Sequence, residues 1–396
     1  MIGWTYFGLA NIPLQLCSHI FFQGTFAATC TTIVSGAVAE RVSFPGYILL
    51  SIILTGFIYP VQAHWGWSSQ GWLKQTEFRD YAGSGLVHLC GGTLAFFGAL
   101  ILGPRAGRFK RGAENNSFPG HSIPQTLLGS LILTFGFLAF NGGSRGSITN
   151  PGDGVAVARS VLNTIISCCI AGQLVLIINR LITGYWSLTK MINGSLTGMV
   201  CICAGADRYY PWAASIVAGF AAVFYICCSF LMVKIKIDDP LDAISVHFVG
   251  GLWGLIAAPI FMDTGLLYSA DEKAVLVLVW NLLGAGVIIV YNGIAGIIIF
   301  SILKKINLFR TSAECEMVGL DWFYSREPAY PTGAYNITSR DLKSDSEIIT
   351  QQTHEYQHQP SQFLPPVQQS DNLFTPDSVN IDDDIFLIQS NMEIEC

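Results

Sequence analysis

The chain has 396 residues, of which 51% are hydrophobic and only 12% charged, with a formal net charge of −6 at pH 7. Soluble domains carry about 25% charged residues, so this composition excludes an ordinary globular enzyme and predicts an all-α polytopic membrane protein. The acids are unevenly placed, with 15 of the 27 lying after residue 302; the apolar part is therefore slightly basic, and nothing in it suggests a nucleic-acid partner.

Met1 to Pro13 reads as a loop running into a helix rather than as a protein start, and carries no basic leader. The expectation is that further spans precede this sequence. Apolar runs of spanning length, about 20 residues each, follow at 15–36, 46–64, 85–103, 124–144, 158–183, 187–204, 211–233, 244–262 and 274–302. That predicts nine spans. The run at 187–204 is the weakest, being short and opening with Lys190 and Asn193. Many runs are rich in Gly, Ala, Ser and Thr, which let helices approach closely in lipid.

If nine spans alternate sides, the ends after odd-numbered spans collect Arg41, the Arg105–Arg111 cluster, Arg180, Lys190, Lys234, Lys236, Lys304, Lys305 and Arg310. The other side holds Lys74, Arg79, Arg145, Arg159, Arg208 and Lys273. The richer set is read as cytoplasmic by the positive-inside rule, which puts Met1 outside and the C-terminus inside, in a plasma-membrane type of orientation. From residue 311 the composition changes. Residues 311–330 keep aromatics and a Gly319-Leu320-Asp321 turn, whereas 331–396 are dominated by Gln, Ser, Pro and Asp; low hydrophobicity with net negative charge predicts disorder there. The predicted organisation is a membrane domain over 1–310, a structured tail segment over 311–330 and a disordered acidic tail over 331–396.

Two stretches share a pattern that the rest of the sequence lacks. Asp80 to Gly92 and Asp242 to Gly251 each read acid, short gap, Val-His-x-x-Gly-Gly, and each opens an apolar run. A polar ring in hydrocarbon is costly, so an intramembrane histidine is a functional candidate by default. A matched pair, His88 and His247, suggests a duplicated architecture around a shared site. Alternatively, each imidazole is a packing group bonded to a neighbouring carbonyl. Neutral imidazole offers one donor and one acceptor, which suits passage of a small polar molecule or a proton. Asp80 and Asp242 are read as helix-start carboxylates that accept backbone N–H groups, Asp80 adding a pull on an approaching cation. The external loop 59–73 holds Tyr59, His64, Trp65, Trp67 and Trp72, read as an interfacial belt or as ring faces for a cation. Most of the eleven cysteines, among them Cys30, Cys90, Cys201 and Cys203, fall in apolar runs and are read as small hydrophobes. No Walker loop, metalloprotease motif, nucleophile elbow or potassium filter is present, so neither an enzyme nor a cofactor is expected, and no metal site is read.

At Asp80-Tyr-Ala-Gly-Ser-Gly-Leu-Val-His88 the chain resembles the ammonium transporter (Amt/Mep/Rh) family, on its Amt branch. The resemblance extends across residues 1–330 through Phe22-Gln-Gly-Thr-Phe26, Gly36-Ala-Val-Ala-Glu-Arg41, Ala63-His-Trp-Gly-Trp67, Gly136-Phe-Leu-Ala-Phe140-Asn-Gly-Gly-Ser144, Asn193-Gly-Ser-Leu-Thr-Gly198 and Asp238-Asp-Pro-Leu-Asp242-Ala-Ile-Ser-Val-His247. It implies an eleven-helix fold with an inverted repeat, of which nine helices are present here, assembled as a homotrimer with a pore in each subunit. It implies that His88 and His247 are the twin pore histidines, that Phe26 and Phe140 are a stacked outer gate, and that Trp67 and Ser144 are the external cation site. Asp80 matches the family's buried aspartate below that site. The implied function is ammonium/ammonia transport; the alternatives are an ammonium sensor that signals through its tail and an Rh-type neutral gas channel.

Overall fold

The computed structural model describes residues 6–109 and 118–326; the tail expected to be disordered, 331–396, lies outside the described residues. Among the described residues nine helices build the membrane domain: α1 Cys17–Val38, α2 Phe44–Trp67, α3 Ser84–Leu102, α4 Ile123–Gly143, α5 Asp153–Thr183, α6 Leu188–Ile202, α7 Pro211–Lys234, α8 Ile244–Phe261 and α9 Glu272–Lys305. A short tenth, α10, covers Ala313–Val318 and is followed by a π turn at Asp321–Ser325.

Among the described residues, eight of these helices are long and apolar enough to cross a membrane. The ninth expected span is α6, which has only 15 residues, or about 22 Å of helix against about 30 Å of hydrocarbon. It is wedged between α5 and α7. Its start is tied to one end of the bundle by the Lys190–Asp242 ion pair at 2.7 Å. The turn beyond it reaches the other end, where Asp207 pairs with Arg79 at 2.8 Å. Being enclosed by protein, α6 does not need to match the bilayer thickness. A second difference concerns residues 59–73. The helix α2 continues through Trp67, so only 68–73 form the turn; extending the helix keeps the backbone of this partly buried aromatic segment hydrogen-bonded.

The ion pairs sort by end, as the alternation of nine crossings requires. At one end Arg41 donates to the Asp238 and Gly103 carbonyls at 2.7 and 2.8 Å, and Arg105 pairs with Asp238 at 2.8 Å and Glu40 at 2.6 Å. At the other, Arg79 meets Asp207, Arg145 meets Asp153 at 2.6 Å and Arg159 meets Asp263 at 2.9 Å. Arg41 is wholly enclosed, and burial, reinforced by Arg105 and Arg310, lowers its pKa to about 10 against the pull of Asp238.

The repeated motif forms the centre of the fold. Both α3 and α8 open in a π turn, at Ser84–Leu89 and Ile244–Val249, and each histidine lies in that turn. The paired glycines explain why the motif recurs. A methyl group on Gly92 would run into the Phe248 backbone, and one on Gly251 into the Ser84 carbonyl and the Leu89 amide, so the two half-helices cross backbone to backbone. The preceding glycines pack outward in parallel fashion, Gly91 on Cys30 and Ile33 of α1, Gly250 on Thr197 and Val200 of α6. The pairs α1–α3 and α6–α8 are thus two inverted copies of one device.

Candidate functional site

Each half-helix begins on a carboxylate. Asp80 Oδ1 accepts from the Gly83 amide at 3.0 Å, and Oδ2 accepts from Gly85 and Leu86 at 2.9 and 2.8 Å. Gly83 itself sits at φ +101°, where a side chain is disfavoured. Burial raises the Asp80 carboxyl to about 6, despite the backbone bonds that favour its charge. The second half-helix departs from the expected correspondence. Asp239, not Asp242, takes the capping position, accepting from the Ile244 amide at 2.7 Å, and it precedes His247 by the same spacing as Asp80 precedes His88. The Asp242 carboxylate instead receives Lys190 Nζ and Tyr225 OH, both at 2.7 Å, and Ser229 Oγ at 3.1 Å. Asp242 adopts φ +56°, which turns the chain into the helix, and these three with Asn193 Nδ2 at 3.4 Å satisfy it without backbone amides.

The two histidines face each other where the half-helices cross. Their rings lie 5.2 Å apart at 16°, with Nδ1 to Nδ1 3.2 Å. His88 is fully buried and His247 half-buried. Two neutral rings sharing one proton between their Nδ1 atoms have a fixed consequence. Whichever ring accepts at Nδ1 must carry its own proton on Nε2, so the pair always presents one Nε2–H donor and one bare Nε2 acceptor. His88 Nε2 has no hydrogen-bond partner in the protein.

Above His88 stands a file of aromatic rings. Phe140 is 5.5 Å from His88 and stacks on Phe26 at 4.0 Å and 18°, and Phe26 meets Trp67 edge to face at 5.6 Å. The Trp67 indole N–H donates to the Asp80 carbonyl at 2.8 Å, which fixes the orientation of its face. A vestibule of about 730 Å³ opens above, lined among others by Phe26, Trp67, Asp80, Ser144 and Arg145. Ser144 donates its hydroxyl proton to the Phe140 carbonyl at 2.7 Å, leaving its oxygen lone pairs able to accept from a ligand. The structure therefore places His88, His247, Phe26, Phe140 and Trp67 in successive ring contact, with Asp80 and Ser144 lining the vestibule beside them, and sets Asp242 apart, beside Lys190, Tyr225 and Ser229.

Two rings stand inside the quoted motifs but were given no role of their own. Phe137 lies parallel to His88 at 5.6 Å, and Phe22 packs on Phe26 at 4.7 Å. Each is one helical turn from a residue already singled out, and that i, i+3/i+4 relation was the available signal. Among the described residues no cluster of three or more metal-ligating side chains occurs.

A bundle of membrane-spanning helices with two crossing, histidine-bearing half-helices beneath an aromatic vestibule defines a multi-pass membrane protein of the inverted-repeat kind. The model of the Ammonium Transporter Family matches residues 1–330, and the chain belongs to that family. It is 43% identical over 353 residues to a putative ammonium transporter 1 of Caenorhabditis elegans, covering 83% of this chain and 66% of that protein. It is 37% identical over 359 residues to ammonium transporter 1 member 1 of Arabidopsis thaliana, covering 81% and 70%. Among solved structures it is similar to a sensor Amt protein, with a TM-score of 0.73, 31% identity and coverage of 82% and 84%. Mep2 of Saccharomyces cerevisiae aligns with a TM-score of 0.68, 25% identity and coverage of 77% and 68%.

Proposed function

We propose that this chain carries ammonium across a membrane, with a cation site at the vestibule, deprotonation at the phenylalanine pair and passage of ammonia along the histidines. The observation that supports this reading is the continuous ring file Trp67, Phe26, Phe140, His88 and His247, in which successive centroids are 4.0 to 5.6 Å apart.

The physical argument runs from charge to neutrality. Ammonium is drawn by the Asp80 field and held by the Trp67 face and the Ser144 oxygen. A desolvated cation–π contact is worth about 2 kcal/mol, whereas moving a bare ion into low dielectric costs tens of kcal/mol. The ion therefore gives up its proton before the stacked Phe26 and Phe140, which must part to let ammonia through. The Nε2–H and bare Nε2 of the histidine pair then supply the donor and acceptor that a neutral, polar molecule loses on leaving water. Potassium has no proton to give up, and so is excluded. In this reading the chain forms a homotrimer in the plasma membrane with its C-terminus in the cytoplasm. The outward face of α4, where Leu128, Leu131, Ile132 and Phe135 are exposed, supplies surface for lipid or a neighbouring subunit.

The test is ammonium-evoked current and labelled methylammonium uptake in cells expressing the chain, beside His88→Ala and His247→Ala. Loss of flux or of selectivity against potassium in either variant supports the reading; full-rate, selective flux in both refutes the histidine path. A sensor reading is favoured by the similarity to a solved sensor Amt protein. Truncation after Arg326 separates the two, since a sensor loses signalling while uptake persists. Trp67 at the mouth counts against an Rh-type gas channel, and saturable ammonium-dependent current excludes it.

A further inference from the structure

Cys30 and Cys90 are both fully buried and their sulfurs lie 3.3 Å apart. They sit on different helices, α1 and α3. At this level the helix backbones approach closely, because a methyl on Gly91 would meet the Cys30 carbonyl at 3.1 Å. Disulfides need Cα atoms about 4.4–6.8 Å apart and a bond of about 2.05 Å, so the sulfurs must close by little more than an ångström. The Cys90 thiol also lies 3.2 Å from Asn292 Oδ1, an acceptor for its proton. Asn292 is held in turn by Gln62 Oε1 at 2.6 Å. With its proton given to Asn292, Cys90 would offer Cys30 lone pairs.

We propose that Cys30 and Cys90 form a reversible oxidation site that staples α1 to α3. Peroxide oxidises one thiol to a sulfenic acid with release of one water. The second sulfur then attacks it, its thiol proton leaving with the sulfenic hydroxyl as a second water; two thiols and one peroxide give one disulfide and two waters. A dithiol reductant reverses the step by thiol–disulfide exchange. Both sulfurs are closed to solvent, so the reaction admits a small neutral oxidant and excludes a bulky charged one. It is slower than at Cys169 and Cys227, which lie on the outer faces of α5 and α7, because the oxidant must first enter the packed interior. The site is also positioned to matter: Cys30 is one helical turn beyond Phe26 on α1, and Cys90 follows His88 by two residues on α3. A covalent link there fixes the helix of the outer ring against the helix of the first histidine.

The test uses the full chain purified in detergent, treated with hydrogen peroxide, denatured, alkylated and peptide-mapped by mass spectrometry. The expected result is a linked peptide joining Cys30 to Cys90, abolished by dithiothreitol, absent in Cys30→Ser and not produced by oxidised glutathione. If Cys169 and Cys227 oxidise while Cys30 and Cys90 both remain alkylatable, the site is refuted; linkage by oxidised glutathione refutes the enclosed access. The wild-type map decides the matter even if the serine variant fails to fold. A second arm, methylammonium uptake by proteoliposomes, rests on the transport reading. Uptake is expected to fall severalfold on oxidation and to return on reduction. Linkage with unchanged uptake overturns the stapling consequence, whereas absence of uptake before oxidation counts against transport and leaves the peptide map to decide the site.

Discussion

Around His88, Phe137 and Phe140 of α4 lie at 5.6 and 5.5 Å, and the ring is wholly enclosed. Around His247 the described residues give only one ring neighbour, His88 itself, and the next residue, Phe248, lines an apolar groove of about 640 Å³ with residues of α3, α7, α8 and α9. The carboxylates differ in the same sense. Asp80 answers three backbone amides, whereas Asp239 takes the Ile244 amide through Oδ2 with the Ala243 amide also favouring its charge, and its Oδ1 meets no close donor. Burial, with the neighbouring Asp242 charge, pushes Asp239 to about 7. One backbone device is thus used twice and finished by different neighbours. The first copy is enclosed by rings, the second opens on an apolar groove, and burial raises the carboxylate of each.

The largest expected effect tests what the copies share. Gly92→Ala and Gly251→Ala each place a methyl against main chain that cannot move aside, a class of overpacking that costs about 1–3 kcal/mol or more. Both should abolish the monodisperse peak on fluorescence size-exclusion chromatography. Gly286→Ala, with open space around it, should leave that peak intact. The histidines come next. Both alanine variants should cut methylammonium uptake by about tenfold or more, equivalent to about 1.4 kcal/mol. Only His88→Ala should also lower the thermal midpoint, because it alone empties a closed ring stack; equal midpoints would erase the distinction between the copies.

A smaller effect separates the carboxylates by pH. Asp80 is neutral below about 6, so the KM for methylammonium should rise as the pH falls through that value, and Asp80→Asn should show a high KM at every pH. The sign for stability is opposite. A carboxyl whose folded pKa is raised contributes most in acid, and that contribution is lost as pH rises through about 6. Smallest is Asp242→Asn. Its partner Lys190 keeps a side chain about one third exposed, and such pairs contribute about 1 kcal/mol or less. A midpoint shift as large as that of His88→Ala would show that Asp242, not Asp239, anchors the second copy.

Much of this was legible in the sequence because lipid imposes long apolar runs and because a polar ring inside one stands out. The two Val-His-x-x-Gly-Gly stretches pointed to a duplicated architecture around a shared site, and the family resemblance singled out Phe26, Phe140, Trp67 and Ser144. What stayed hidden depends on contacts that spacing does not encode. Hydropathy overestimates α6, since protein rather than lipid surrounds it. The Asp239 cap was missed because Asp242 also precedes the histidine at short range, and only the φ +56° turn at Asp242 shows which carboxylate meets the amides. Phe137 looks like any lipid-facing phenylalanine until α3 is placed beside it.

The π turns under both histidines carry a last consequence. A π turn is an α-helix holding one surplus residue, so each half-helix is one deletion away from being regular. Removing a residue from Ser84–Leu89 or Ile244–Val249 would ease the backbone and swing the preceding part of the helix by about 100°, turning the imidazole or its cap off the crossing. Hydrogen-bond regularity and ring alignment therefore oppose each other in this chain. Each copy keeps the less regular helix, because only that register points both rings at one another.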